Sequence, residues 1–160
     1  MRPIQLKPRL AAIAALIPSA ARVADIGTDH ARIPIYLLQQ GRCETVIATD
    51  IREGPLTMAA ASLIKHRLED KVALRLGPGA TPLKPEEIDC AVVAGMGGDT
   101  IVEILEESPW LLEKTLILQP QTHPERVIGY LEGHGKTPVR SMASEERRDY
   151  TILFVKGEVL

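Results

Sequence analysis

The chain has 160 residues, 19 lysines and arginines against 21 aspartates and glutamates, and a formal charge of -2. This length predicts one domain over residues 1–160 that buries roughly 70% of its unfolded surface without a metal or disulfide staple, and 45% hydrophobic content excludes disorder, collagen and a disulfide-built miniprotein. The charge balance excludes a generic polyanion binder, so any nucleic-acid contact needs a local basic patch; one Phe, one Trp and three Tyr are too few for a base-stacking platform.

The N-terminus imitates a secretory signal. Arg2, Lys7 and Arg9 precede the apolar run Leu10 to Ile17, and Ser19-Ala20-Ala21 resembles a cleavage site. The spacing of Leu6, Leu10, Ile13 and Ile17 predicts instead an amphipathic helix over Lys7 to Ile17. Cleavage near Ala21 would also leave the next strand as a bare terminus. No apolar run reaches membrane-span length, so no membrane partner is expected.

Strand-like and helix-like segments then alternate. Arg22 to Ile26 reads as a strand, Ala31 to Gln40 as a helix with Pro34 in its first turn, and Thr45 to Thr49 as a strand. Pro55 to Arg67 reads as a helix, Lys71 to Leu76 and Ile88 to Ala94 as strands, and Asp99 to Glu107 as a helix. Thr115 to Leu118 is a strand and Pro124 to Glu132 a helix; Thr137 to Ala143 and Asp149 to Val155 are two final strands joined by the charged turn Ser144–Arg148. The first five strands are continuous apolar runs, which is the pattern of strands buried on both faces of a parallel sheet. The last two lack an intervening helix and should pair antiparallel. The expected fold class is therefore α/β: a Rossmann-like, doubly wound, mostly parallel seven-stranded sheet with an antiparallel last strand. That arrangement matches the S-adenosylmethionine-dependent methyltransferase variant of the fold better than a dinucleotide-binding domain, and the first helix would cap its site side.

Cys43 and Cys90 are the only cysteines and both adjoin apolar runs. They read as reduced thiols of a cytoplasmic protein, and no metal site is expected.

Open α/β sheets bind ligands beyond the carboxyl ends of their strands. After the first strand comes Asp25-Ile26-Gly27-Thr28-Asp29-His30. Gly27 allows a tight turn and close approach of a ligand, and the following helix offers its first N–H groups to an anion such as a methionyl carboxylate. Asp25 and Asp29 could take the methionyl ammonium. Two carboxylates would repel a pyrophosphate, and the later glycines of a dinucleotide fingerprint are missing, which disfavours NAD. Asp50 follows the second strand, 25 residues beyond Asp25, at the distance of an acid that accepts ribose hydroxyls; a helix-capping role is equally compatible with its position. Ile51 is placed to pack on an adenine ring. Gly77 and Gly79 let the chain pass close to that ring. Ala94, Gly95 and Met96 open the Gly-rich stretch after the fourth strand, where a methyl acceptor would sit. His30 and His123 are lone candidates on the site side, while His66 and His134 read as surface residues.

Val23-Ala24-Asp25-Ile26-Gly27-Thr28-Asp29-His30-Ala31, Gly54-Pro55-Leu56, Arg75-Leu76-Gly77, Ala94-Gly95-Met96-Gly97-Gly98 and Leu116-Ile117-Leu118-Gln119-Pro120 resemble the bacterial tRNA (adenine-22-N1)-methyltransferase family, in one register from about Leu6 to Val155. The resemblance implies a single methyltransferase domain, S-adenosyl-L-methionine as cofactor and N1 of a tRNA adenine as acceptor. It implies Asp25, Gly27, Thr28, Asp29, His30, Asp50, Ile51, Gly77, Gly79, Ala94 and Gly95 as cofactor contacts, with Asp29, Gly95 and Met96 nearest the chemistry. Arg9, Lys65, Arg67, Arg126 and Arg140 are candidate phosphate contacts. Two departures stand out: Pro78 occupies a position that is usually acidic in the family, and the family's C-terminal helical segment would begin where this sequence stops. Another acceptor, or a non-catalytic binding module, therefore remains an open alternative at this point.

Overall fold

The computed structural model describes residues 2–158. Its elements in chain order are α1 (Pro8–Leu16), β1 (Val23–Ile26), α2 (Arg32–Gln39), β2 (Val46–Asp50), α3 (Glu53–Lys65), β3 (Val72–Leu76), β4 (Cys90–Gly97), α4 (Gly98–Glu107), β5 (Thr115–Thr122), α5 (Pro124–Gly133), β6 (Val139–Glu145) and β7 (Arg148–Val155). One short 3-10 turn precedes β4 and another precedes β5.

The strands form one seven-stranded sheet in the order β3-β2-β1-β4-β5-β7-β6. All neighbours from β3 to β5 pair parallel, and β7 pairs antiparallel with both β5 and β6. The last strand is thus antiparallel as expected, but it lies inside the sheet, and β6 forms the edge. β7 turns back along β6 and takes the free side of β5 as its other partner.

Period-two alternation splits the apolar side chains between two layers. Val23, Val46, Cys90, Val92, Ile117 and Ile152 face Ile13, Ile17, Ile33, Ile35, Leu37 and Leu63 of α1, α2 and α3. Ala24, Ile26, Ala91, Val93, Leu116, Leu118 and Leu153 face Ile101, Leu105, Val127 and Leu131 of α4 and α5. The first helix belongs to the core, as the amphipathic spacing implied: Ile13 and Ile17 are buried, and Leu10 packs beside them. Its exposed terminal carbonyls find a partner in the Arg42 guanidinium, which donates to Ala14 O at 3.3 Å and to Ile17 O. Both cysteines are free thiols, and burial pushes the Cys90 thiol up to about 12.

Two strands run further than their apolar runs suggested. β4 continues through Gly95-Met96-Gly97 and β5 through Gln119 to Thr122, their pairing shifting between Ala94 and Met96 and again between Met96 and Gly97. The Gly-rich segment is therefore a bulged strand end, not a free turn. Pro120 fits there because its missing N–H falls at the irregularity.

Gly98 begins α4 hard against the chain leaving β5: an added Cβ would lie 2.7 Å from Thr122 O and closer still to His123 O. Gly98→Ala is expected to lower stability by about 1–3 kcal/mol, the cost of overpacking against unyielding backbone. A thermal or urea melt should show the drop; an unchanged midpoint would contradict this close packing.

Candidate functional site

β1 and β4 are neighbours in the sheet although separated in sequence, and this reversal of strand order opens a crevice at their carboxyl ends. A cavity of about 590 Å³ occupies it. Every residue that the sequence reading singled out as a cofactor or catalytic candidate lines this one cavity: Asp25, Gly27, Thr28, Asp29 and His30 after β1, Asp50 and Ile51 after β2, Gly77 and Gly79 after β3, and Ala94, Gly95 and Met96 at the end of β4.

The floor is acidic. Asp25 is 5% exposed, and no protein group among the described residues hydrogen-bonds its carboxylate in full geometry. Burial pushes this carboxyl up to about 6; the nearby Thr28 hydroxyl opposes the rise, and the charges of Asp50 and Asp29 add to it. Thr28 Oγ1 is itself buried without a hydrogen-bond partner. Asp50 is 6% exposed, and its Oδ1 accepts the Arg52 N–H at 3.0 Å. Arg52 is the residue at the N-cap of α3, so Asp50 shapes the turn before the helix and is not its cap.

Backbone hydrogen bonds fix the turns. The Gly27 and Thr28 N–H groups both donate to Thr49 O, at 2.8 and 2.9 Å. These two amides are thereby committed to the neighbouring strand; their residues shape the wall but have no free N–H to offer an anion. Gly27 has φ +77°, and a Cβ there would collide with the Met96 methyl group, so the thioether lies directly against the turn. The Gly77 N–H donates to Asp50 O at 2.9 Å, and Thr49 Oγ1 donates to Gly79 O at 3.2 Å. Pro78 stands exposed on the same wall.

The opposite wall comes from α1, which the sequence expected to cap the site side, and from residues of β5 and α4 that it did not assign there. Arg9 and Leu10 of α1 enter the cavity. Arg9 Nη1 donates to Gln119 Oε1 at 2.6 Å, the Gly95 N–H donates to the same oxygen at 3.1 Å, and Gln119 Nε2 donates to Gln121 Oε1 at 2.9 Å. A fully buried glutamine thus ties α1, β4 and β5 together at the mouth. Thr100, Glu103 and Glu107 of α4 also line the cavity, opposite the buried Ile101 and Leu105. Their spacing of three and four is a polar helical stripe, which is a signal the sequence does carry.

The remaining candidates differ in exposure and place. The Asp29 carboxylate is 68% exposed, with His30 Nε2 at 3.8 Å. His123 is outside the cavity, exposed, with its Nδ1 3.2 Å from Glu125. Arg126 pairs with Asp99 at 2.9 Å. Lys65, Arg67 and Arg140 do not reach the cavity, so of the five proposed phosphate contacts only Arg9 borders it. No cluster suited to a metal ion occurs among the described residues.

Known proteins share this arrangement. A family model described as a methyltransferase domain matches residues 6–153. A tRNA (adenine(22)-N(1))-methyltransferase from Bacillus subtilis is 36% identical over 133 residues, covering 82% of this chain and 56% of that protein. The chain therefore spans little more than half the length of this curated relative. The crystal structure of the B. subtilis M1A22 tRNA methyltransferase TrmK is similar with a TM-score of 0.90 and 31% identity, over 96% of this chain and 67% of that one. M. capricolum TrmK in complex with S-adenosyl-homocysteine gives a TM-score of 0.86 and 29% identity, over 96% of this chain and 69% of that one.

The Asp25 environment has a measurable consequence. A carboxyl raised from 3.8 to about 6 by folding favours the native state when protonated; that contribution is complete below the unfolded value and is lost as pH rises through about 6. Asp25→Asn should therefore stabilise the ligand-free protein at pH 8, by up to about 3 kcal/mol. The gain over wild type should shrink as pH falls through about 6 and vanish below about pH 3. Paired thermal melts across that range check this, and a pH-independent difference would contradict it.

Proposed function

Because the chain belongs to the methyltransferase-domain family, we propose that its cavity binds S-adenosyl-L-methionine and that the protein methylates N1 of the adenine at position 22 of tRNA. The observation that carries this reading is the pair of buried carboxylates, Asp25 and Asp50, at the ends of adjacent strands in one cavity. It is supported by a relative solved with S-adenosyl-homocysteine and another named for M1A22 tRNA methylation.

The donor set fits such a ligand. Asp25 lacks a protein partner, so a ligand ammonium would relieve the cost of its burial. Asp50 would accept the two ribose hydroxyls through carboxylate lone pairs not used by Arg52. Ile51, 64% exposed at the rim, offers an apolar face to an adenine ring. Pro78 has no acceptor side chain, which leaves the ring's amino group to the backbone of the Gly77–Gly79 turn. The buried Thr28 hydroxyl, which has no protein partner, is a further polar contact for the ligand.

When bound, the cofactor supplies an electrophilic methyl group and departs as a thioether. An adenine N1 attacks with an in-plane lone pair and its product is a stable cation, so no strong general base is required of the protein. The chain's contribution is position and exclusion of water. Gly95 presents bare backbone at the cavity, Met96 closes the space beside Gly27, and Asp29 is an exposed carboxylate on the cavity wall. The acceptor base must arrive unstacked to enter.

Incubation with labelled S-adenosylmethionine and bulk tRNA, followed by nucleoside analysis, should yield 1-methyladenosine. Label in another nucleoside, or none in RNA, would overturn the acceptor assignment. Asp50→Ala should weaken S-adenosylhomocysteine binding by about 10- to 100-fold in calorimetry, the range for losing hydrogen bonds to a charged group. Undiminished affinity would remove Asp50 from the site.

A further inference from the structure

β7 runs antiparallel to its neighbours, so its first residues and the β6–β7 turn lie at the cavity end of the sheet. Tyr150 stands there, half-buried, with two guanidinium groups near its ring: Arg148 lies 4.8 Å and Arg9 5.7 Å from the ring centroid. Arg9 borders the cavity directly. Arg148 Nη2 donates to Gln121 O at 2.6 Å, and Gln121 is a cavity residue. A continuous path of arginine, aromatic ring and arginine therefore leads out from the cavity mouth.

The guanidinium groups on this path make no ion pair among the described residues. The hairpin also carries three acids that keep their charge: Glu146 pairs with Lys7 at 3.2 Å, Glu145 Oε1 accepts the Arg9 backbone N–H at 2.9 Å, and Asp149 accepts the Ser144 hydroxyl at 2.5 Å. The guanidinium groups of Arg9, Arg147 and Arg148 have no carboxylate within salt-bridge distance among the described residues. Arg147 and Arg148 are exposed. Lys7, Arg9, Arg147 and Arg148 outnumber Glu145, Glu146 and Asp149 by one, so on a chain of net charge -2 this rim is net positive, with an aromatic ring beside the cavity mouth.

We propose that the Arg9–Tyr150–Arg148 rim, extended by Arg147, is the surface on which the RNA strand carrying the acceptor base docks. Arg148 and Arg147 contact phosphates, the Tyr150 ring offers a stacking face to a nucleotide next to the acceptor, and Arg9, held by Gln119, marks where the strand turns into the cavity. This assignment rests on the tRNA reading above. Charge complementarity selects an RNA strand: guanidinium groups match phosphate in charge and geometry, and stacking on an aromatic ring tolerates any base.

The test is tRNA binding by fluorescence anisotropy between 50 and 300 mM salt, alongside methylation kinetics, for wild type, Arg148→Ala, Arg147→Ala and Tyr150→Leu. Arg148 and Arg147 are solvent-exposed, so their removal leaves the core untouched. Each arginine variant is expected to weaken tRNA binding about tenfold at low salt and to flatten the salt slope by about one. KM for tRNA should rise more than kcat changes, and S-adenosylhomocysteine affinity should hold. Tyr150→Leu should weaken binding without altering the salt slope, a difference that a purely structural role would not produce. Unchanged tRNA affinity and salt slope in both arginine variants, with methylation intact, would overturn the docking surface and leave the reaction standing. Salt-sensitive binding that depends on Arg148, with no methylation by wild type, would sustain the surface and sink the reaction. Failure of wild type to bind tRNA at all would overturn the surface.

Discussion

A carboxylate without a protein partner, held at the end of the innermost strand, is the constraint around which this molecule is arranged. All four residues of β1 are buried, and β1 is flanked on both sides by parallel strands. Asp25 therefore cannot swing out to water, as a surface acid would. Its charge is tolerable only because the crevice between β1 and β4 begins where it sits. The turns after β1, β2 and β3 are then laced to one another through Thr49 O, Asp50 O and Gly79 O, so the crevice is a rigid opening and not a gap between loops. The two apolar layers hold the strands at the register this requires.

The charges around the crevice are sorted by depth. Asp25 and Asp50 are buried at the strand ends, while the guanidinium groups of Arg9 and Arg148 stand at the mouth. A pocket arranged this way discriminates by orientation: a ligand must bring its cationic end inward, and a polyanion can approach only as far as the rim. A diphosphate lying across the floor would face two acids and find the Gly27 and Thr28 amides already bonded to Thr49. The absence of a glycine-rich dinucleotide fingerprint thus has a physical counterpart in the hydrogen-bond pattern.

Much of this was legible in the sequence. The continuous apolar runs specified a parallel sheet, and a single acid-glycine-acid stretch at the end of the first run marked the crevice. Gly27 was legible as the glycine of a tight turn, but the clash that a Gly98 side chain would make with Thr122 and His123 was not. What stayed hidden depends on distant residues meeting. The extension of β4 and β5 past their apolar runs relies on mutual pairing of Gly95–Gly97 with Gln119–Thr122, and neither segment has strand character alone. Gln119 reads as a polar residue before a proline; only the fold gives it Arg9 and Gly95 as partners. Arg9 reads as one basic residue among several on a helix expected to cap the site, and nothing local says that its guanidinium meets Gln119. Tyr150 and Arg148 sit near the start of a strand whose place within the sheet the sequence did not determine.

The placement of β7 also governs how the sheet can be assembled. Residues 148–155 fill the slot between β5 and β6, and Leu116, Ile117 and Leu118 along β5 are wholly shielded only when that slot is filled. A nascent polypeptide that has emerged only as far as β6 carries an open, aliphatic, hydrogen-bonding strand border, the sort of border that recruits other molecules. Completion waits on β6 and β7 together, because β6 joins the sheet only through β7. The ribosome must therefore release nearly the whole domain before its centre is sealed, and any shortening that removes β7 exposes a sticky interior seam instead of trimming an edge.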